Sequence, residues 1–257
     1  MNIIAIGDVV GKQGCEFLRS HLPYIKRLKN IDLCIANGEN SAPGNGLTPD
    51  SAQFLFDSGV DLITTGNHVY NRNEVYDFLD ARRDVIRPAN YSDGNPGRGF
   101  AVIDLGRIKV GVLNLLGNSF ISDNTANAFL CAEAVLPKLD ECKIKIVDFH
   151  AEATGEKRAM GFFLDGRVSA VFGTHTHVLT ADEQILPRGT AYITDIGMTG
   201  PKQSVLGVKP ESIIKKMRSA LPTRFEVPDT DCFMSGCIFE IDDKTGKAVD
   251  VERICIE

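Results

Sequence analysis

Side chains that commonly bind metal ions recur where the predicted β-strands end. The segments are AIGD, GEN, GNH, DFH and GTHTH, and their metal-binding side chains are Asp8, Glu39, Asn40, Asn67, His68, His150, His175 and His177. The chain has 5 histidines, and all except His21 fall in these segments. Because the carboxyl ends of parallel strands meet along one edge of a sheet, we expect these side chains to gather in one crevice.

The donor types in these segments are those of a metal centre. Leaving His68 aside, the set offers three imidazoles, two carboxylates and two amides, with no thiolate. Such oxygen and nitrogen donors suit Mn²⁺, Fe or Zn²⁺ far better than Cu(I) or an iron–sulfur cluster. They exceed what one tetrahedral zinc needs, so two ions that share a bridging carboxylate account for them best. Two ions about 3.5–4 Å apart can stabilise both the attacking and the leaving oxygen of a phosphoryl displacement.

Each of these residues also has an ordinary structural interpretation. Asp8 could cap the helix predicted after it, and the asparagines of the GEN and GNH segments are common turn residues. His150 could be a hydrogen-bonded imidazole of the core. His175 and His177 are the stronger signal, because alternate residues of a strand point to the same face.

Short β-branched segments alternate along the chain with amphipathic segments of helical length. Strands are predicted at residues 2–7, 32–36, 62–65, 101–105, 108–115, 144–149, 169–172, 191–194, 233–241 and 248–256, and helices at 12–29, 49–58, 73–81, 126–142 and 212–221. The early alternation and the later hairpins favour an α/β fold with a mixed sheet, or two stacked sheets, and helices outside. No repeat or linker interrupts the chain, so we predict one domain over residues 1–257.

Four glycine-rich segments follow predicted strands and are expected to form loops around the site: residues 41–47, 117–124, 153–161 and 197–208. Binding residues of α/β folds concentrate in such loops, although plain surface turns are an equally good interpretation of any one of them. Pro137 is expected to end or kink the helix predicted at 126–142. Asn71 or Asn73 is expected to cap the helix predicted at 73–81.

The composition excludes some classes of protein. The chain has 257 residues and a formal net charge of −6, which is unfavourable for binding duplex DNA or an anionic membrane. Two short basic clusters, Arg82-Arg83-Arg87 and Lys215-Lys216-Arg218, are interpreted as solvated helix faces. The 7 cysteines form no C-x-x-C pair, which is typical of free thiols in a reducing compartment. The first residues do not resemble a signal peptide and no apolar run approaches about 18 residues, so a cytoplasmic enzyme is expected.

The order of the strand-end segments resembles the calcineurin-like metallophosphoesterase superfamily, whose pattern runs D-x-H, G-D-x-x-D, G-N-H-[DE], H and G-H-x-H. The resemblance covers nearly the whole chain and is strongest to the bacterial YmdB-like branch, through AIGDVVG, NGEN, TTGNH, GTHTHV and TDIGMTG. Val10 replaces the first-motif histidine, Glu39 the bridging aspartate, and Val69 the acidic residue after GNH. This branch shares these departures, and Asn40 is the nearest group that could fill the place of the missing histidine.

This resemblance implies a four-layer α/β sandwich with two mixed sheets and helices on the outside. It implies two divalent or mixed-valence metal ions, which are expected to be Fe or Mn. The donor types do not distinguish these metals from Zn. The implied ligands are Asp8, Glu39, Asn40 and His177 for the first ion, and Glu39, Asn67, His150 and His175 for the second, with Glu39 bridging. A hydroxide between the ions would attack phosphorus. The implied catalytic residues are His68 and Asn40, and His68 would be the general acid for the leaving alkoxide.

The resemblance further implies phosphodiesterase activity on 2′,3′-cyclic nucleotides or other small phosphodiesters, and it favours a homo-oligomer. Two alternatives stay open. One is a phosphomonoesterase, either a protein phosphatase or a nucleotidase, and the other is a regulator that binds a nucleotide or RNA at the metal site without turnover. Thr176, Asp195 and Asp148 are expected to orient the imidazoles, and residues 198–200 to shape the pocket.

Overall fold

Two β-sheets packed face to face form the centre of the computed structural model, which describes residues 1–257. The first sheet holds β1 (Asn2–Ile6), β2 (Asp8–Val9), β3 (Leu33–Asn37), β4 (Leu62–Thr64), β5 (Val85–Ile86), β12 (Met198–Pro201), β13 (Cys232–Ile241) and β14 (Ala248–Ile256). The second holds β6 (Phe100–Asp104), β7 (Lys109–Leu116), β8 (Ile144–His150), β9 (Ala170–Thr174), β10 (Gln184–Ile185) and β11 (Ala191–Ile193). The helices are α1 (Gly11–Leu28), α2 (Pro49–Asp57), α3 (Tyr76–Ala81), α4 (Ala128–Val135), α5 (Thr154–Leu164) and α6 (Pro210–Ser219).

Both sheets are mixed. The 8-stranded sheet runs β2-β12-β13-β1-β3-β4-β5, with β14 paired to β13. Within it, β1, β3, β4 and β5 are parallel, whereas β13 is antiparallel to β1. The 6-stranded sheet runs β10-β11-β9-β8-β7-β6, with β7, β8, β9 and β11 parallel. The carboxyl ends of β3 and β4 in one sheet, and of β8 and β9 in the other, point toward the same crevice.

Three apolar layers separate the two sheets and the helices that cover them. Along β1, Ile4 and Ile6 pack under helices α1 and α2, whereas Ile3 and Ala5 pack against the other sheet. Alternation places successive side chains on opposite faces, so a strand with apolar residues at every position must be covered on both sides. A third cluster fills the space between the second sheet and helices α4 and α5. The predicted four-layer sandwich with two mixed sheets is confirmed.

The structure corrects three predictions about local structure. Residues 153–161 were expected to form a loop, but α5 occupies most of that segment. The buried residues of this helix recur at helical spacing: Lys157, Met160, Gly161 and Leu164. Burial of this face favours the helix more than the Thr-Gly pair at its start favours a loop. Part of 197–208 is strand β12, which pairs with β2 and β13. Neither Asn71 nor Asn73 caps the helix near residue 73, which starts as a 3₁₀ turn after Arg72 with no side-chain cap.

The long helix predicted at 126–142 is shorter than expected because of its proline. Helix α4 ends at Val135 and continues as a 3₁₀ turn, Leu136–Leu139, that has Pro137 near its start. A proline lacks the N–H that an α-helix needs in its interior, so the expected break occurs there. The cysteines are all free thiols, most of them buried or half-buried. None of the helices combines the length and the apolar character needed to span a membrane.

Candidate metal centre

One group of predicted ligands surrounds His150 at the crevice between the two sheets. Its Nε2 atom lies 3.2 Å from Glu39 Oε1, 3.1 Å from His175 Nδ1 and 3.1 Å from Asn67 Oδ1. Glu39, His150 and His175 offer donor atoms that all lie within 4.8 Å of one another, which is the spacing of ligands around a single ion. Glu39 and His150 are buried.

A second group lies on the other side of Glu39. His177 Nε2 is 3.6 Å from Asp8 Oδ1 and 3.3 Å from Asn40 Nδ2. The same Asn40 nitrogen is 3.3 Å from Glu39 Oε1. The structure therefore brings all the predicted ligands into one place, and Glu39 is the residue in contact with both groups. Because their elements come from both sheets, the crevice lies between the two sheets and not along the edge of one.

The electrostatics of this cluster fit a cation. Asp8 Oδ1 is buried and has no hydrogen-bond partner, and such an orphaned carboxylate oxygen is costly without a positive charge nearby. Burial disfavours the ionised form of Glu39, yet His150 and His68 hold its pKa well below the ordinary value. Burial alone would lower the pKa of His150, but Glu39 and Asp8 raise it to about 9. The proton on the His150 imidazole balances the negative charge of Glu39 and Asp8. A divalent cation would balance the same charge, so the residues present fit a metal centre.

The backbone that carries the two late histidines is unusual. Strand β9 ends at Thr174, and His175 and His177 follow it with φ angles of 94° and 62°. The expectation that both lie on one strand face is therefore wrong. They lie in and just after a bend that follows the strand, with His175 beside His150 and His177 beside Asp8. His175 N donates to Asp8 Oδ2 over 3.1 Å. Left-handed dihedrals are uncommon outside glycine, and anchoring contacts of this kind hold them in place.

A buried hydrogen-bond relay sets the orientation of His150. Its Nδ1 atom lies 2.9 Å from Thr174 Oγ1, and that hydroxyl donates to Asp148 Oδ1 over 2.7 Å. Thr64 Oγ1 also donates to Asp148. Because the threonine hydroxyl donates to the carboxylate, it accepts from Nδ1–H, and Nε2 is left free to face the ligand cluster. Burial raises the pKa of the Asp148 carboxyl to about 7.

Other supporting contacts differ from those expected. Thr176 N and Oγ1 both donate to Asp195 Oδ2, at 3.2 Å and 2.7 Å, but neither residue bonds to an imidazole. Asp195 instead forms a buried ion pair with Lys157 of α5, at 2.5 Å. Asp148 makes no direct hydrogen bond to His150. It is linked to the ring through Thr174 and Asn37, and its charge helps to raise the pKa of His150. Sequence patterns gave no sign of Lys157, because a lysine at a helical position is ordinarily solvated.

Two partners of the late histidines were missed. Glu152 Oε2 lies 3.2 Å from His175 Nε2, although its side chain is half-exposed. This leaves His175 Nδ1 for the ligand cluster, and burial, with His150 nearby, lowers the pKa of this imidazole to about 4. His177 Nδ1 meets the backbone oxygen of Leu206 at 3.0 Å. Glu152 could have been found from its position two residues after His150, whereas a backbone carbonyl carries no sequence signal.

His68 and Asn40 form a pair at the rim of the cluster. His68 Nδ1 lies 3.0 Å from Asn40 Oδ1 and 3.2 Å from Glu39 Oε1. The His68 backbone N–H donates to Glu39 Oε2 over 3.1 Å. Gly66 lies just before this segment, and a Cβ there would collide with the His150 ring and the Glu39 carboxylate. Only glycine therefore allows the chain to pass this close to the ligands.

A cavity of about 910 Å³ opens over the cluster. Glu39, Asn40, His68, His175 and His177 contribute to its lining. Cationic and aromatic side chains from other elements complete its wall: Lys12, Arg72, Arg224 and Phe225. The residues 198–200, which were expected to shape the pocket, lie in strand β12 and do not line this cavity.

Comparison with known proteins gives consistent results. Residues 4–254 match the family described as YmdB-like protein. A 2′,3′-cyclic-nucleotide 2′-phosphodiesterase of Bacillus subtilis (strain 168) is 44% identical, over 100% of this chain and 97% of its own. The crystal structure of a novel phosphatase from Mycoplasma pneumoniae superposes with a TM-score of 0.94 at 38% identity, covering 100% of this chain and 93% of that one. The crystal structure of a hypothetical protein from Thermus thermophilus gives a TM-score of 0.93 at 36% identity, covering 99% and 98%.

Proposed function

The chain belongs to the YmdB-like protein family, and we propose that it hydrolyses phosphodiesters at a two-metal centre, with 2′,3′-cyclic nucleotides as its substrate class. It is a hydrolytic phosphoesterase, because its relatives along the full chain are a phosphodiesterase and a phosphatase. The B. subtilis relative is the support for the cyclic-nucleotide class.

One observation carries the two-metal proposal: Glu39 lies between two groups of donors and contacts both. One group consists of Asn67, His150 and His175, and the other of Asp8, Asn40 and His177. When bound there, two divalent cations would supply an activated water nucleophile at neutral pH and would stabilise charge on the phosphoryl oxygens. Imidazole, carboxylate and amide donors suit Fe or Mn²⁺, and Zn²⁺ binds the same types.

The amide of Asn40 decides how His68 can work. Its Nδ2 atom faces Glu39 and His177, and its Oδ1 atom faces His68 Nδ1. Because an amide oxygen can only accept, His68 Nδ1 carries a proton and donates it to Asn40 Oδ1, and Glu39 Oε1, 3.2 Å away, favours the same proton. The second lone pair of Asn40 Oδ1 would remain for a cation.

This arrangement makes His68 a proton donor at its other nitrogen. A neutral imidazole is too weak an acid to protonate an alkoxide, so His68 would act as the imidazolium, with one proton on Nδ1 and the second on Nε2. That atom makes no hydrogen bond within the protein, and the residue lines the cavity. His68 Nε2–H is therefore placed to protonate the leaving alkoxide. Asn40 would serve both as a ligand and as the acceptor that holds the Nδ1–H group of His68.

The cavity suits a mononucleotide. Its volume of about 910 Å³ lies within the range of about 300–1,000 Å³ that is common for small-molecule sites. Lys12, Arg72 and Arg224 provide positive charge around it, and Phe225 is an aromatic side chain 40% exposed. We propose that a base stacks on Phe225 while the cyclic phosphate lies over the ligand cluster.

The test is hydrolysis of a panel of phosphoesters by Mn²⁺- or Fe-loaded protein, together with metal analysis. We expect cleavage of an activated phosphodiester and of 2′,3′-cyclic AMP. His68→Ala should lower kcat by about 10²–10⁴-fold while the amount of bound metal stays unchanged. The control is His21→Ala in α1, whose ring stacks on Phe17 at 4.0 Å outside the site. Two bound metals without turnover of any ester would refute the enzymatic proposal.

A phosphomonoesterase is the second candidate, because the M. pneumoniae neighbour is described as a phosphatase. Hydrolysis rates on matched phosphate monoesters and diesters distinguish a phosphomonoesterase from a phosphodiesterase. Faster hydrolysis of the monoester would refute the phosphodiesterase proposal. A regulator that retains a cyclic nucleotide without forming product would show stoichiometric binding and no turnover in the same panel.

A further inference from the structure

A small basic cleft lies at the amino ends of β8 and β9, opposite the end that carries the histidines. It encloses about 110 Å³. Its basic lining residues are Lys143, Lys145, Arg167, Arg188 and Lys247. Strand β8 alone spans about 20 Å at about 3.3 Å per residue, so the cleft is separate from the metal centre. Nothing in the proposed phosphodiesterase reaction uses it.

Most of these cations lack a carboxylate partner. Lys145 Nζ pairs with Asp140 at 3.1 Å, but the other four form no ion pair. The buried carboxylate nearby, Asp165, accepts from the backbone N–H groups of Arg188 and Thr190 and does not pair with a side-chain cation. Like charges held together without counter-charge repel one another, which is unusual in a chain of net charge −6.

Tight turns at glycine bring the basic residues together. Gly166, Gly189 and Gly246 have φ angles of 79°, 100° and 73°. A Cβ on Gly166 would lie 2.8 Å from Arg188 Cβ, and one on Gly189 would lie 3.0 Å from Lys247 Cδ. Glycine at these turns therefore lets the neighbouring cationic side chains lie directly against the backbone. The cleft is part of the packed structure, because Ala248 N also donates to the Gly189 oxygen over 2.9 Å.

We propose that this cleft is a second anion site that binds a short polyphosphate, either free or as the phosphate chain of a nucleotide. Four cations lack a carboxylate partner, and one of them, Arg167, lies over the Phe163 ring at 5.1 Å. Such a set matches an anion with several charges, and charge-assisted hydrogen bonds to phosphate are among the stronger polar contacts. The volume corresponds to about four waters at about 30 Å³ each, which is room for phosphoryl groups but not for a nucleoside. Val168 is the one hydrophobic residue of the lining, and no aromatic side chain is present to stack on a base.

The test is calorimetric titration of pyrophosphate into chelator-treated protein, because chelation removes the cations that would bind phosphate at the proposed metal centre. Lys143→Gln combined with Lys247→Gln should raise Kd about tenfold or more, since each change removes a charged donor. Lys138→Gln combined with Lys215→Gln removes the same charge from exposed positions outside the cleft and should leave Kd within about twofold of wild type. Binding should weaken as salt is raised.

Inorganic triphosphate, ATP and adenosine distinguish the sources of the anion. If triphosphate and ATP bind with similar Kd values and adenosine does not bind, the cleft recognises the phosphate chain alone. Equal Kd values for wild type and the cleft variant would overturn the proposal, as would the absence both of binding heat and of a rise in Tm. A 5′-hydroxyl oligoribonucleotide that binds more tightly than pyrophosphate, and is lost in the cleft variant, would reassign the surface to nucleic acid.

Discussion

Polar and charged groups lie at both ends of strands β8 and β9, but those at one end are buried and hydrogen-bonded, whereas those at the other are mostly exposed and unpaired. At the carboxyl ends, His150, Asp148 and Thr174 are buried and each is hydrogen-bonded. At the amino ends, Lys143 is exposed and has no ion-pair partner, and Lys145 pairs only with an exposed aspartate. Burial makes the difference, because an unpaired charge is tolerated in water but costly in the protein interior.

The contrast extends to the lysines themselves. Lys157 is 2% exposed and is paired with Asp195, which is fully buried. The basic residues of the cleft are held by turns instead of by partners. A substitution at the metal end should therefore change stability or chemistry strongly, whereas one at the basic end should act mainly on anion binding.

Glu39→Gln should abolish most of the activity. The change removes the carboxylate that contacts both donor groups, so both metal affinity and the stabilisation of the transition state are lost. Several kcal/mol of lost stabilisation correspond to a fall in kcat/KM of about a thousandfold or more. Metal content by mass spectrometry and hydrolysis of an activated phosphodiester measure the two effects. Glu240→Gln, at an exposed position on β13, is the matched control, and retained metal and turnover in Glu39→Gln would contradict the shared-ligand role.

Lys157→Met should destabilise the fold by about 3–5 kcal/mol, because it leaves a buried carboxylate without its partner. Burial already raises the pKa of Asp195 even with Lys157 beside it. The free energy of unfolding from urea titration measures the loss. Adding Asp195→Asn to the same protein removes the stranded charge and should recover part of the stability. A loss below about 1 kcal/mol would mean that the pair is worth no more than an exposed one.

Thr174→Val should weaken metal binding by about 10–100-fold, because it breaks the relay that orients His150. Thr199→Val is the matched control: the Thr199 hydroxyl is also buried but has no hydrogen-bond partner, so its loss should be neutral or slightly stabilising. Titration of Mn²⁺ into the chelator-treated proteins gives both affinities. Equal affinities for the two variants would show that the relay does not act on the metal site.

The cluster of candidate ligands at the carboxyl ends could be predicted because histidine is rare and because strand ends converge. The sequence places His150 and His175 in motifs, and the fold supplies the distance between them. Thr174 and Lys157 could not be predicted in the same way, since threonine in a strand and lysine in a helix are ordinary residues there. Their roles depend on which face is buried, and a three-dimensional contact decides that.

The basic end could not be predicted at all. Its cations come from positions as distant as Lys143 and Lys247, so no cluster is visible along the chain. The clusters that are visible behave differently: Arg82 pairs with Asp84, and Arg87 is only 4% exposed. The prediction of a solvated helix face is therefore wrong for Arg87, because the side chain is buried and donates to backbone carbonyls. Proximity in sequence is a poor guide to charge density when turns from several strands meet.

The smallest effect is expected at the basic cleft in the absence of anion. Lys143→Gln combined with Lys247→Gln should change the free energy of unfolding by no more than about 0.5 kcal/mol, and toward greater stability, because it relieves repulsion between like charges. That gain should shrink as salt shortens the Debye length from about 30 Å at 0.01 M to about 10 Å at 0.1 M. With pyrophosphate the order should reverse, because ligand stabilises wild type by RT ln(1 + [L]/Kd) and the variant binds little. Urea titrations of chelator-treated wild type and variant at two salt concentrations, with and without pyrophosphate, measure these free energies of unfolding. A variant that is strongly destabilised without anion would show that these lysines hold the fold together.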